Sequence, residues 1–361
     1  MFNISRIFHF LKLSLLMCAF ISGQSASQIS DISDTSPAHL DKLFKQQKFK
    51  DVVTSIKQMP TQSLSEEHYR FLIYSLADKD LDDAEHAAQQ AIEQFPNSPD
   101  VYLMHASIMG QQASDSLLSA LSYAKKARIS LETAVSLAPD ELKYHIALLS
   151  FHLNAPSIAG GDKVQALEQV QIIKGLDAIA GATNLAWYYQ VMERPEDALA
   201  LLKQANQDYP QNIDILNSLA NLAISRQEYA QAILYYQGIT ELNLEPPVED
   251  LKILEEYEEA LYRQLNAHYQ IGRAALVGKT NLTEGLMHLQ NYINHRQNPK
   301  FIGSLDTSGL PSVEWAKLRM SALLLADNQK QQAQTLFATI TLDKVSDNMQ
   351  NIHSKLKKEL K

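Results

Sequence analysis

Residues 198–210 read ALALLKQANQDYP, which places alanine at positions 198 and 205 and proline at position 210. Two other segments repeat this order with the same spacing of seven and five positions: Ala84, Ala91 and Pro96, and Ala127, Ala134 and Pro139. Small alanine side chains let a second helix approach closely, and a proline disfavours continuation of the helix that precedes it. The three copies predict an all-α chain built from similar helix pairs.

The length of the repeat points to a known family. Ala198 and Ala232 are 34 positions apart, which is the period of the tetratricopeptide repeat, a helix-turn-helix unit. The best copy, Ile179 to Pro210, also carries apolar residues on its first helix. The sequence therefore resembles the tetratricopeptide-repeat family, in an exported bacterial member. That resemblance implies a right-handed superhelical solenoid, and the copies in this sequence number about seven.

The domain organisation follows from where the pattern weakens. Asn298 to Ser312 contains two prolines and two glycines, which favour a loop. Between Pro247 and Gly278 the helical pattern runs longer than one family helix, so the superhelix could be interrupted there. We expect a signal peptide at 1–25, a repeat solenoid at 26–297, a linker loop at 298–312, and a terminal helical pair with a capping helix at 313–361.

The first 25 residues have the features of a secretory signal. Arg6 and Lys12 supply positive charge, and Leu13 to Ile21 form an apolar stretch too short to span a bilayer. Gly23 and Ser25 offer small residues for cleavage. An uncleaved membrane anchor is the alternative. The sequence predicts a periplasmic or secreted protein with no membrane insertion after removal of the signal.

Composition excludes several functional classes. The hydrophobic fraction is 45% and the charged fraction 20%, as in folded soluble proteins. The net charge is −9, and removing the two signal cations makes it −11, which disfavours nucleic acid as a partner. The single cysteine, Cys18, lies in the signal, so the mature chain has no thiol for a disulfide, a zinc site or a nucleophile.

No segment completes a catalytic or cofactor motif. Gly272 to Thr280 is similar to a phosphate-binding loop, but five residues separate its two glycines where the motif requires four. Gly160 to Lys163 reads as a turn in which Asp162 caps the next helix, with an anion site at that helix as the alternative. The histidines lack the spacing of a metal-binding helix. We expect a non-enzymatic protein without catalytic residues, metal or cofactor.

The family resemblance implies a concave groove lined by the first helices of the repeats, in which partner peptides or helices bind. Family helix positions place eight residues of this sequence there: Tyr69, Ile73, Thr183, Trp187, Gln190, Asp214, Asn217 and Asn221. Trp187 is either an apolar anchor for a partner or part of the core. The aligned groove positions include no lysine or arginine, which argues against recognition of a partner's terminal carboxylate.

These observations predict a protein–protein interaction scaffold or adaptor of the bacterial cell envelope. The partner and the oligomeric state are not predicted. The alternative is that residues 248–361 form a distinct small-molecule-binding or catalytic domain, because the repeat register is broken there.

Overall fold

The computed structural model describes residues 34–116, 118–244, 251–298, 305–307, 309–342 and 346–361. The predicted signal peptide with its cleavage site and Cys18 lies outside the described residues. All regular secondary structure in the described part is helical, so the all-α prediction is confirmed. The chain divides into two compact units, with unit 1 ending at Val191 and unit 2 beginning at Met192.

Unit 1 is a sequence of helices in which each helix packs against the next one along the chain. They are α1 (Pro37–Lys45), α2 (Phe49–Lys57), α3 (Glu66–Ala77), α4 (Leu81–Gln94), α5 (Pro99–Asp115), α6 (Ala120–Leu137), α7 (Leu142–Asn154), α8 (Lys163–Leu176) and α9 (Ala178–Val191). Alternate helices also meet, as in the contacts of α3 with α1 and α5. This is the packing expected when helix pairs stack on one another.

Unit 2 continues the same pattern, with one helix of 28 residues among helices of 8 to 15 residues. They are α10 (Pro195–Asp208), α11 (Ile213–Ser225), α12 (Tyr229–Thr240), α13 (Leu251–Gly278), α14 (Leu282–Arg296), α15 (Val313–Ala326), α16 (Lys330–Phe337) and α17 (Asp347–Glu359). Successive helices from α10 to α16 pack on each other, and α17 packs on α15. One hydrophobic core extends from Leu216 to Leu323.

This core contains residues from both sides of position 248, so the region after residue 248 packs together with α11 and α12. Helix α13 packs against α12 and α14, and it also contacts α11 and α15. The break in repeat register therefore reflects a 28-residue first helix within the stack. It removes the reason for treating residues 248–361 as a separate domain. Within the predicted linker 298–312, Leu305 and Leu310 are buried in the core of unit 2.

The alanines and prolines lie where the repeat pattern requires. All six alanines of the three copies are at most 5% exposed. Helices α4, α6 and α10 end at Gln94, Leu137 and Asp208, and a proline follows each end two residues later. Alanine therefore permits close helix contact, and proline follows the end of the second helix in each pair.

The turn between the two helices of a pair has the same backbone geometry at three places in the chain. Gln47, Gln227 and Asn328 occupy the middle of three turns, with φ of 57°, 62° and 61°. In each turn the amide of that residue donates to the carbonyl three residues earlier, and the next amide donates to the carbonyl five residues earlier. Such hydrogen bonds satisfy carbonyls that the end of a helix leaves unpaired. The same turn therefore joins the first helix of a pair to the second in both units.

Candidate binding surface

Two of the predicted groove residues are core residues. Tyr69 and Ile73 of α3 are both 0% exposed. The Tyr69 hydroxyl donates to Gln94 Oε1 at 3.2 Å, and its ring meets the edge of Phe95 with centroids 6.2 Å apart. Helix α3 contacts α1, α2, α4 and α5, so its sides are covered within unit 1. Neither side chain is available to a partner, which corrects the predicted placement of these two residues.

Helix α9 carries three further predicted residues, Thr183, Trp187 and Gln190, and all three are half-buried. Trp187 packs against the apolar cluster that includes Leu149 and Val170. The Thr183 hydroxyl and the Gln190 amide donate to carbonyls of their own helix, at 3.1 and 3.3 Å. Trp187 therefore contacts the core with part of its side chain and is accessible with the rest. Both predicted roles, core residue and anchor for a partner, remain open to it.

The remaining predicted residues share one side of α11 in unit 2. Asp214, Asn217 and Asn221 follow each other at three- and four-residue spacing, which places them along one helix face. Asn221 is exposed, and its Oδ1 accepts a hydrogen bond from the buried Tyr236 hydroxyl at 2.8 Å. Asp214 forms an ion pair with Arg263 of α13. The structure thus brings three predicted residues together on α11, and Asp214 connects this face to α13.

Arg263 was not predicted, and it connects two helices. Its guanidinium contacts Asp214 on α11 and Glu259 on its own helix. Burial opposes its positive charge, but the two carboxylates outweigh burial and raise the pKa of Arg263 above its ordinary value. The family helix positions did not identify Arg263, because α13 has 28 residues and is longer than a family helix. The groove was predicted to contain no lysine or arginine, but this does not hold for α13, where Arg263 lies.

Helix α13 continues the polar surface toward α15. Arg263, Asn266, Gln270 and Arg273 recur at three- and four-residue spacing and so lie along one side of α13. Gln270 links its neighbours, because its amide donates to Asn266 at 3.3 Å and its carbonyl accepts from Arg273 at 3.3 Å.

On α15, Arg319 contacts the Tyr269 hydroxyl, and its guanidinium lies 5.6 Å from the centre of the Trp315 ring. This cation–aromatic contact orients the guanidinium at the α13–α15 boundary. We define the unit-2 polar face by the side chains on the three helices: Asp214, Asn217, Asn221, Arg263, Asn266, Gln270, Arg273 and Arg319.

The two glycine motifs have structural explanations. Gly272 and Gly278 lie inside or at the end of α13, and a Cβ at Gly278 would lie 2.5 Å from the Tyr229 Cβ. The segment is helix and does not form a loop around a phosphate. Asp162 caps α8, as predicted, while Lys163 Nζ donates to the carbonyls of His152 and Leu153 at the end of α7. Lys163 thus serves the preceding helix end.

The described residues contain neither a helix suited to crossing a membrane nor a cluster suited to a metal ion. No described helix combines the length and apolarity that a membrane span requires. In the same part of the chain, no group of three or more histidine, cysteine, aspartate or glutamate side chains has the arrangement of a metal site.

Comparison with known proteins agrees with this architecture. Residues 192–252 match the family model described as tetratricopeptide repeat. The crystal structure of yeast Tom70 is similar with a TM-score of 0.59 at 15% identity, over 98% of this chain and 70% of Tom70. Pseudomonas aeruginosa pilF gives a TM-score of 0.39 at 14% identity, over 72% of this chain and 97% of its own. Among curated proteins, none matches the sequence.

A tetratricopeptide repeat protein from Parabacteroides merdae gives a TM-score of 0.38 at 12% identity, over 80% of this chain and 97% of its own. The match of the family model and the fold of yeast Tom70 confirm the resemblance to tetratricopeptide-repeat proteins. At 15% identity, the similarity to Tom70 bears on the fold alone.

Proposed function

We propose that this tetratricopeptide-repeat protein is a non-enzymatic scaffold or adaptor that binds other proteins in the bacterial cell envelope. The observation that carries the proposal is the unit-2 polar face. Its side chains extend over α11, α13 and α15, and they include amides and guanidinium groups that partner peptides can bind. The tetratricopeptide fold and the family match support a role in protein binding.

The orientation of the amides supports recognition of a partner's backbone. Asn217 and Asn221 are one helical turn apart on α11. The hydrogen bond from Tyr236 holds Asn221 Oδ1, so the Nδ2 group of Asn221 can donate to a carbonyl of the partner. Because such contacts read the backbone, they suit an extended peptide or the end of a helix.

The charges of the face add specificity. Arg263 lies between two carboxylates, and Arg319 is held against aromatic rings, so both guanidinium groups have defined positions before a partner binds. Side chains that are already ordered lose less conformational entropy on binding. A partner that places a carboxylate or a carbonyl beside Arg319, and a donor beside Asp214, would match this arrangement.

A periplasmic location is part of the proposal, and it rests on the features of residues 1–25. Fractionation of cells that express the full chain tests it, with N-terminal sequencing of the exported product. Cleavage between about residues 22 and 27 is expected from the small residues there. An uncleaved chain in the inner membrane fraction would show an anchor, and a cytoplasmic chain would exclude the envelope role.

The binding experiment is a cross-linking pull-down from intact cell envelopes. Wild type is compared with Asn217→Ala/Asn221→Ala and with a matched control, Gln204→Ala/Gln207→Ala, which removes two exposed amides from α10 of the same unit. Circular dichroism verifies that each variant folds.

A specific partner should be recovered with the wild type and the control, and its yield should fall about tenfold with the α11 variant. Equal recovery with the α11 variant would place recognition on another surface. No partner above background with the wild type would contradict the scaffold proposal itself.

A further inference from the structure

Three histidines of unit 2 meet between α13 and α14. The Nδ1 atoms of His268 on α13 and His288 on α14 are 2.8 Å apart, and their ring centroids are 4.9 Å apart. The ring of His295, two turns further along α14, lies 5.8 Å from that of His268. His268 and His288 are only 8% and 5% exposed. The contact is therefore shielded from water at the boundary between two helices.

The short contact restricts the protonation of the pair. Two Nδ1 atoms at hydrogen-bond distance require that one carries a proton and the other accepts it. If both imidazoles are protonated, both Nδ1 atoms are donors, and two positive charges face each other in a buried space. The contact is compatible with a neutral or singly protonated pair and incompatible with a doubly protonated one.

Burial of the two rings outweighs the compensation that nearby carboxylates give to positive charge. Burial, followed by the neighbouring His288 and His295, lowers the pKa of His268 to about 3. Burial also lowers the pKa of His288, opposed by Glu284 at the start of α14 and by Glu241 after α12. The charged side chains that α11 and α15 direct at α13 have other partners: Asp214 pairs with Arg263, and Arg319 contacts Tyr269.

We propose that the contact between His268 and His288 is an acid-sensitive latch, which holds α13 against α14 at neutral pH and opens when both imidazoles are protonated. Acidification favours the open arrangement because only that arrangement exposes both rings to water and accepts both protons. The latch lies next to the unit-2 polar face, since Tyr269 contacts Arg319 of α15. Opening of the α13–α14 boundary would therefore also disturb that face.

The latch does not depend on the proposed function, so its test uses the protein without a partner. Hydrogen–deuterium exchange followed by mass spectrometry is compared at pH 7.5 and pH 5.0, after correction for the intrinsic effect of pH on exchange. Protection of α13 and α14 in the wild type should fall at least about tenfold at pH 5.0.

Two variants make the comparison specific. His268→Asn/His288→Asn places an amide atom near the position of each Nδ1 and cannot be protonated in this range, so its α13–α14 protection should change less than about twofold between the two pH values. His86→Asn removes an exposed histidine of α4 and should retain the wild-type response. Unchanged wild-type protection, or equal acid opening in the double variant, would overturn the latch.

A second measurement covers the case in which the double variant does not fold at pH 7.5. The imidazole signals of the wild type are then followed by nuclear magnetic resonance from pH 7.5 to pH 5.0, and assigned with the single variants. The latch requires that His268 and His288 do not both carry an added proton while α13 and α14 remain protected. Ordinary titration of both rings near pH 6.5 in the folded protein would overturn it.

Discussion

Replacement of Gly272 by alanine tests the close packing of α13 on α14. In the middle of a helix this change ordinarily stabilises a protein by about 1 kcal/mol, because alanine has the higher helix propensity. Here a Cβ at Gly272 would lie 2.6 and 2.8 Å from the two Cδ atoms of Leu289, and closer still to its Cγ. Leu289 is 0% exposed and cannot turn away into water.

The steric cost should exceed the gain in propensity. Overpacking of a filled core costs typically about 1–3 kcal/mol, and contact with three carbons of one buried leucine belongs near the upper end. Gly272→Ala is therefore expected to lower the free energy of unfolding of unit 2 by about 2 kcal/mol. Gly175→Ala on α8 is the matched control, since a Cβ there meets nothing within 4 Å. It should stabilise unit 1 by about 0.5–1 kcal/mol.

Urea unfolding can be followed separately in the two units, because the chain has two tryptophans, Trp187 in unit 1 and Trp315 in unit 2. Each variant is measured in a background where the other tryptophan is phenylalanine. In a Leu289→Ala background, Gly272→Ala should lose its cost and become stabilising. Stabilisation by Gly272→Ala in the presence of Leu289, equal to that of the Gly175 control, would refute the steric reasoning.

Three further predictions concern the stability of unit 2. Lowering the pH from 7 to 5 should reduce its free energy of unfolding by about 2 kcal/mol through His268 alone, because a folded-state pKa of about 3 instead of 6.5 lets the unfolded chain bind the proton first. This contribution is complete above pH 6.5 and is lost as the pH falls toward 3, which urea titrations with Trp315 fluorescence measure. Ser312→Ala should cost about 1 kcal/mol in the same assay, because the Ser312 hydroxyl caps α15 through the Trp315 amide, while Ser312→Asp should retain the cap. Ala198→Leu should cost about 1–3 kcal/mol by overpacking a fully buried position, whereas Ala200→Leu on the exposed side of α10 should change stability by less than about 0.5 kcal/mol, as thermal unfolding can show.

Only part of the candidate surface could be predicted from the sequence. Asp214, Asn217 and Asn221 lie together on α11 as the family positions imply, but Tyr69 and Ile73 are buried. The difference arises because a helix position is exposed or buried according to how many helices surround it. Helix α3 has four helical neighbours in unit 1, a property that its own residues do not encode locally.

The all-α fold and the ends of the second helices could be predicted from the residues alone. Those features depend on local chemistry: alanine size, proline geometry and a spacing that repeats along the chain.

The pairing of distant polar groups could not be predicted in this way, because it follows from how the helices pack. Asp214 and Arg263 are 49 positions apart and pair across two helices, and His268 and His288 are 20 positions apart and share one buried contact. Such meetings depend on the length of α13 and on how the helices pack. These contacts form because segments that are distant in the chain pack closely against each other, which no local spacing of residues specifies.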